Sequence, residues 1–221
     1  NVSNTLIEKS YDGSIDSKTL LDEAEQKIFN ITNESLKSKT GFKSINELCG
    51  ESVEKIEKLS ESKSGITGLA TGYTKFDKET TGLQKGDLII IAGRPSMGKT
   101  SFAMNIAEHA SLKSDATTAI FSMEMPGTQL SNRLLSSLGR IDQQHLRTGN
   151  LTDDDMPRLT SAVALLSKAK IFIDDSPALS PLEIRARARR LRREQGSLDL
   201  IVIDYIQLMR STNNVENRAT E

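Results

Sequence analysis

The chain has 221 residues and a formal net charge of −1 at pH 7, with 36% hydrophobic and 27% charged residues. This balance excludes a disordered chain and allows one ordinary domain plus an appendage; the near-neutral charge removes any global basic signal for nucleic acid, although a local patch or a ring of subunits can still supply the field. The single cysteine, Cys49, excludes an internal disulfide and suits a reducing cytoplasm, and no apolar run long enough to span a membrane and no signal peptide is visible.

The chain opens on Asn1 rather than Met, as a fragment would. Val2, Leu6 and Ile7 lie on one side of a helix ending near Tyr11, and Asp12-Gly13-Ser14 breaks it. A second helix begins at Thr19, spaced with Asp22 as a capping box. Leu20, Leu21, Ala24, Ile28 and Ile31 form its apolar stripe. This stripe packs either on its own domain or on a neighbouring subunit, and composition does not choose between them. Residues 33–43 read as a polar linker. Ser44 and Glu47 frame a second capping box, and Ile45, Leu48, Val53, Ile56 and Leu59 carry helical spacing to about Ser60. A polar, glycine-ended break at 60–65 is the expected boundary of the main domain. The divisions are thus 1–15, the end of a helical domain; 16–64, a linker helix and a connecting helix; and 65–221, the main domain.

Residues 65–86 are glycine-rich and turn-rich, with Tyr73, Phe76 and Leu83 as expected buried anchors. Leu88, Ile89, Ile90 and Ile91 form a short apolar β-branched run, read as a buried parallel strand. A second strand is expected at 116–122 and a third at 171–173. A fourth, at 200–203, ends in Asp204. Helical periodicity appears in Phe102, Ala103, Ile106, Ala107 and Ala110, then in Leu130, Leu134, Leu135 and Leu138. It returns in Met156, Leu159, Val163 and Leu166, where Asp153 to Asp155 suit the helix N-terminus, and over 181–194, where Ile184, Ala188 and Leu191 are the buried stripe. Strands alternating with helices imply a parallel α/β sheet with right-handed crossovers.

Between the first strand and its helix lies Gly93-Arg94-Pro95-Ser96-Met97-Gly98-Lys99-Thr100, followed by Ser101. It satisfies G-x-x-x-x-G-K-[ST] at every position, in the strand–loop–helix setting a P-loop requires. Glycine permits close backbone approach to a triphosphate, and the helix beginning near Lys99 aims its unpaired N–H groups and positive dipole end at the anion. Lys99 reaches the β- and γ-phosphates in this reading, and the Thr100 hydroxyl ligates Mg²⁺. The run of apolar residues ending in Asp204 is a Walker B pattern, with its carboxylate on the ligand side of an open parallel sheet. Glu124, expected at the end of the second strand within Ser122-Met123-Glu124-Met125-Pro126, is either the base that deprotonates an attacking water or a charge at the next helix N-terminus.

Asp174-Asp175 reads first as a cap and turn before Ser176-Pro177, and second as a metal pair. His109 and His145 are unmatched, so no metal site is assigned to them. Arg185, Arg187, Arg189, Arg190, Arg192 and Arg193 lie on one helix, which reads as a solvated face or subunit contact ahead of a track for DNA phosphates.

Together the P-loop, the Ser122–Pro126 motif, Arg147-Thr148-Gly149, the arginine helix and Ile203-Asp204-Tyr205-Ile206-Gln207-Leu208-Met209 resemble the bacterial replicative DnaB-type helicase family over nearly the whole chain. The resemblance implies a RecA-like P-loop NTPase core, preceded by an α-helical linker, that assembles as a hexameric ring. Such rings move on single-stranded DNA and separate the duplex by ATP hydrolysis. By position it makes Lys99 and Thr100 the phosphate and Mg²⁺ residues, Glu124 the catalytic base and Asp204 the Walker B acid. It also places Leu20, Ala24 and Ile28 against the adjacent subunit, and implies primase and a helicase loader as partners in the primosome. The family's sensor Gln, DNA-binding loops and arginine finger fall beyond Glu221, so the isolated chain is expected to be a poorly active piece of a cytoplasmic helicase. Two alternatives stand beside this: a RecA- or RadA-like recombination or repair ATPase, and a nucleotide-binding interaction module without turnover.

Overall fold

The computed structural model describes residues 44–60 and 65–210. The expected helix end at 1–11, the stripe of Leu20, Ala24 and Ile28, the linker at 33–43 and most of the break at 60–65 lie outside the described residues. The chain divides into two units, 1–62 and 63–221.

In the first unit, α1 spans Ile45–Ser60. It begins where the capping box was expected. Ser44 N donates to Glu47 Oε2 and Glu47 N donates to Ser44 Oγ, each at 3.3 Å, satisfying two N-terminal donors reciprocally. Its apolar positions Ile45, Val53 and Ile56 are exposed.

In the second unit the elements run α2 (Thr74–Thr80), α3 (Lys99–Lys113), β1 (Thr118–Ser122), α4 (Gly127–Gly139), α5 (Gln143–Thr148), α6 (Asp155–Leu166), β2 (Ile171–Asp174), α7 (Pro181–Gln195) and β3 (Leu200–Asp204), closed by a 3₁₀ turn at Ile206–Leu208. The sheet is parallel, in the order β2-β1-β3. Thr118 lies level with Ile171 and Leu200 at one end, and Ser122 with Asp204 at the other. The central strand β1 is buried at every residue. Its alternating side chains feed two cores. Ile120 packs with Met104 and Ala107 of α3 and Leu130 and Leu134 of α4; Ala119 and Phe121 pack with Ile184 and Ala188 of α7. Helices thus cover both faces, as a parallel sheet requires.

α7 starts at a full capping box, with Ser180 and Glu183 bonded reciprocally and Pro181 in the first turn, where its missing N–H costs nothing. The short helices α2 and α5 are not visible in apolar periodicity, and local polar bonds hold them. Asp77 of α2 is buried and accepts from Thr71 N at 2.9 Å, Thr71 Oγ1 at 2.7 Å and Gly72 N at 3.1 Å. Asp142 caps α5 by accepting from Gln144 N at 2.7 Å, and Gly149 ends it with φ 75°. Gly72 is required at its position: φ is +87°, and an added Cβ would meet the His109 ring at 2.6 Å.

Three packing expectations are corrected. First, residues 88–91 form no strand, and Leu88 and Ile90 are 87% and 78% exposed. A parallel strand needs a ladder partner and cover on both faces; among the described residues the sheet ends at β3, whose Ile201 and Ile203 are themselves exposed. Second, Phe76 is exposed rather than buried, its ring lying edge-on to Phe102 at 6.3 Å, while Tyr73 stacks on the same Phe102 ring at 4.9 Å and is half-buried like Leu83. Third, α6 turns Met156 and Val163 outward; its inward positions are Asp155, Leu159, Ala162 and Leu166. The inward stripe is one residue out of phase with the expected one because Asp155 is drawn in to bond Thr152 and His145.

Candidate nucleotide-binding site

α3 begins at Lys99, and Gly98 before it takes φ 84° and ψ 19°. Nothing lies within 4 Å of a Cβ built there, so glycine serves this position through its backbone angle alone. Gly93 differs: it has no left-handed angle, and a Cβ would only touch the Lys99 stem at an ordinary 3.6 Å. Ser96 is also left-handed, at φ 64°. Residues 93–98 are exposed, so the loop presents its backbone outward ahead of the helix N-terminus. Lys99 Nζ donates to Gly93 O at 2.8 Å, closing the loop across its own span. The ammonium is thereby folded back over the loop, where a phosphate would be cradled.

The second part of the site comes from the far end of the sheet. Thr100 Oγ1 donates to Asp204 Oδ2 at 2.8 Å. Thr100 is half-buried in the first turn of α3, and Asp204 is the last residue of β3. A hydroxyl and a carboxylate side by side are a hard oxygen donor pair, the chemistry Mg²⁺ takes when it keeps waters and binds phosphate oxygens as its other ligands. The residues therefore fit a Mg–nucleotide.

Glu124 lies in the loop after β1, two residues beyond the strand end at Ser122 rather than in the strand. The register carries it to the same edge as Asp204: Ser122 is level with Asp204, and Met123 N donates to Asp204 O at 2.8 Å. Glu124 is exposed. The loop is folded by Ser122, whose Oγ donates to Met125 O at 2.7 Å and accepts from Met125 N at 3.3 Å. The carboxylate at the start of α4 belongs to Asp175, whose Oδ2 accepts from Gly127 N at 2.8 Å. The role of helix N-terminal charge, one of the two expected for Glu124, is filled by another residue.

Asp174 and Asp175 therefore do separate work. Asp174 Oδ1 accepts from Ser176 N at 3.1 Å, and its Oδ2 accepts from Arg187 Nη1 at 2.5 Å. Burial works against the Asp174 charge, but Arg187 and Ser176 outweigh it and hold the carboxyl below the usual range. The turn at 174–176 was legible as an Asx turn; the reach of Asp175 to α4 was not. Of the arginine helix, Arg187 faces this turn and Arg190 pairs with Glu194 at 2.7 Å. His145 Nδ1 lies 2.9 Å from Asp155 Oδ2.

The profile of the DnaB-like helicase C-terminal domain matches residues 68–221. The chain belongs to the DnaB-like helicase C-terminal domain family. It is 48% identical over 207 residues to the replicative DNA helicase DnaB of Buchnera aphidicola subsp. Acyrthosiphon pisum, a match covering 93% of this chain and 45% of that protein. It is 46% identical over 225 residues to DnaB of Pasteurella multocida, covering 100% and 48%, and 43% identical over 218 residues to the replicative DNA helicase DnaC of Bacillus subtilis, covering 98% and 47%. The chain thus spans just under half the length of these relatives. Among solved structures it resembles a helicase ATPase domain, with TM-score 0.74 and 28% identity over 81% of this chain and 63% of that one. It also resembles a DnaB-like replicative helicase described with its interactions with primase, with TM-score 0.70 and 25% identity over 92% of this chain and 52% of that one. The DnaB-like family places the three-stranded core among RecA-like helicase ATPase domains. Membership also sets the recombinase alternative aside.

Proposed function

We propose that this chain supplies the nucleotide-binding half of an ATP-hydrolysing motor in a replicative DNA helicase. The observation that carries the reading is the 2.8 Å bond from Thr100 to Asp204, which joins a complete P-loop to the end of the β3 strand. Residues 93–101 cradle the phosphates with backbone N–H groups, and the Lys99 ammonium neutralises charge between the β and γ groups. Thr100 and Asp204 hold Mg²⁺. The bound ion supplies charge neutralisation on the phosphate oxygens. Glu124, exposed at the same sheet edge, orients a water and takes its proton as the water attacks the γ-phosphorus and the β–γ bridging bond breaks.

In this reading the ATP chemistry drives movement on single-stranded DNA within a hexameric ring. Leu20, Ala24 and Ile28 pack on the adjacent subunit, and primase and a loader are the further partners. The relative solved with primase supports the primase assignment. Among the described residues no helix is long and apolar enough to cross a membrane. The free, exposed thiol of Cys49 suits a cytoplasmic setting.

Nucleotide turnover and strand displacement, measured side by side on the assembled protein, test the proposal. ATP-dependent displacement of a labelled strand is expected. ATP binding without turnover would favour the interaction-module alternative.

A further inference from the structure

Two strand ends meet at the loop that carries Glu124. At one end of the loop, Ser122 ties its hydroxyl to the Met125 backbone in both directions, at 2.7 and 3.3 Å. At the other end, Gly127 N donates to Asp175 Oδ2 at 2.8 Å, across 48 positions of sequence. Gly127 opens α4, and its N–H is one of the donors a helix start leaves without an intrahelical partner. Pro126 immediately before it makes no side-chain cap. The carboxylate that satisfies this donor thus comes from the end of β2, not from the local sequence. The fit is close: a Cβ at Gly127 would stand 3.4 Å from both Asp175 Oδ2 and Ile173 Cγ2. Asp175 is itself anchored next to Asp174, which Arg187 and Ser176 hold in place. Glu124 sits between the two ties, in a segment whose remaining anchor is the Met123 N–H on Asp204 O.

From this juxtaposition we infer that Asp175 is a positioning residue for hydrolysis: by gripping the Gly127 N–H it fixes the loop that presents Glu124 beside the Thr100–Asp204 pair. The inference rests on the proposed role of Glu124 as base. Catalytic groups lose rate steeply when their orientation loosens, because the geometry is set before the reaction rather than during it. An acceptor on a helix N-terminal donor adds further hold through the helix dipole.

The test uses the assembled protein. Asp175→Ala removes the acceptor; Asp175→Asn keeps an oxygen facing Gly127. Asp175→Ala is expected to lower kcat for ATP hydrolysis by about tenfold or more with KM unchanged, since the P-loop is untouched. Asp175→Asn is expected to keep most of the rate. Amide hydrogen exchange over 123–127 is expected to speed up in the Ala variant and not in the Asn variant. In a Glu124→Gln background, Asp175→Ala is expected to add no further loss, because it acts through Glu124. A full multiplicative loss in the double variant, or wild-type kcat in Asp175→Ala with folded protein counted by nucleotide-binding titration, would overturn the inference while leaving Glu124 as the base. Wild-type turnover by Glu124→Gln alone would overturn both.

Discussion

Thr100 and Asp204 stand 104 positions apart in sequence and share a 2.8 Å hydrogen bond. The bond joins the first turn of α3 to the last residue of β3, so the hydroxyl and the carboxylate arrive together at one edge of the parallel sheet. That edge is where open α/β sheets bind ligands. Thr100→Val keeps the shape and removes the oxygen. It is expected to weaken nucleotide binding by about tenfold in the presence of Mg²⁺, the loss of one charge-assisted contact of about 1.5–3 kcal/mol. Binding in EDTA is expected to change little. Isothermal titration under both conditions checks this, and an equal loss in EDTA would remove Thr100 from the metal site.

Lys99 carries the charge of the P-loop and folds back on Gly93 O. Lys99→Ala removes a charge-assisted contact to phosphate oxygens. Affinity for ATP and any turnover are expected to fall together. Unchanged binding by titration calorimetry would show that the phosphates sit elsewhere.

For Glu124 the expected signature is a split between binding and rate. Glu124→Gln keeps the shape and removes the base. Turnover in the assembled protein is expected to fall by about 10²–10⁴-fold, with nucleotide affinity retained because Lys99, Thr100 and Asp204 are intact. Radiolabelled ATP hydrolysis with excess Mg²⁺, alongside a binding titration, measures both.

Asp155 predicts an acid-side loss of stability. It is 6% exposed at the start of α6. Hydrogen bonds from the Thr152 backbone and hydroxyl, then from His145, lower its pKa to about 2. A carboxyl lowered on folding stabilises the native state fully above its unfolded value, about 3.9, and loses that contribution as pH falls through its folded value. Thermal unfolding from pH 5 to pH 2 is therefore expected to show a steeper decline in the wild type than in Asp155→Asn. Parallel curves would dismiss the effect.

Asp77 predicts a structural cost away from the site. Burial works against its charge, but bonds from Thr71 and Gly72 outweigh it and lower its pKa. Asp77→Ala strands those buried donors, at about 1–3 kcal/mol for an unsatisfied group. Urea denaturation is expected to show a lower midpoint with an unchanged slope. A midpoint equal to the wild type would mean that water replaces the carboxylate.

What the amino-acid sequence determined by itself lies within a few residues along the chain. The capping boxes at Ser44 and Ser180, the start of α3 at Lys99, the periodic helices and the strand ending in Asp204 follow from local backbone rules. Those rules act over one helical turn or one pleat, and so leave a readable pattern. The P-loop was legible for the same reason, since its backbone and side-chain roles are set by contiguous positions. The short α2 and α5 fall below the length at which periodicity speaks, and polar bonds from Asp77 and Asp142 hold them. Only the tertiary structure decided which edges pair and which faces are covered. It left residues 88–91 without a ladder, turned Phe76, Met156 and Val163 outward, and carried Asp175 from the end of β2 to the start of α4. Apolar runs state a tendency to be buried, but burial needs a partner surface, and that surface comes from residues distant in sequence. The same holds for the site: Lys99, Thr100, Glu124 and Asp204 could each be named from their motifs, while the sheet register β1–β3 placed Glu124 beside Asp204.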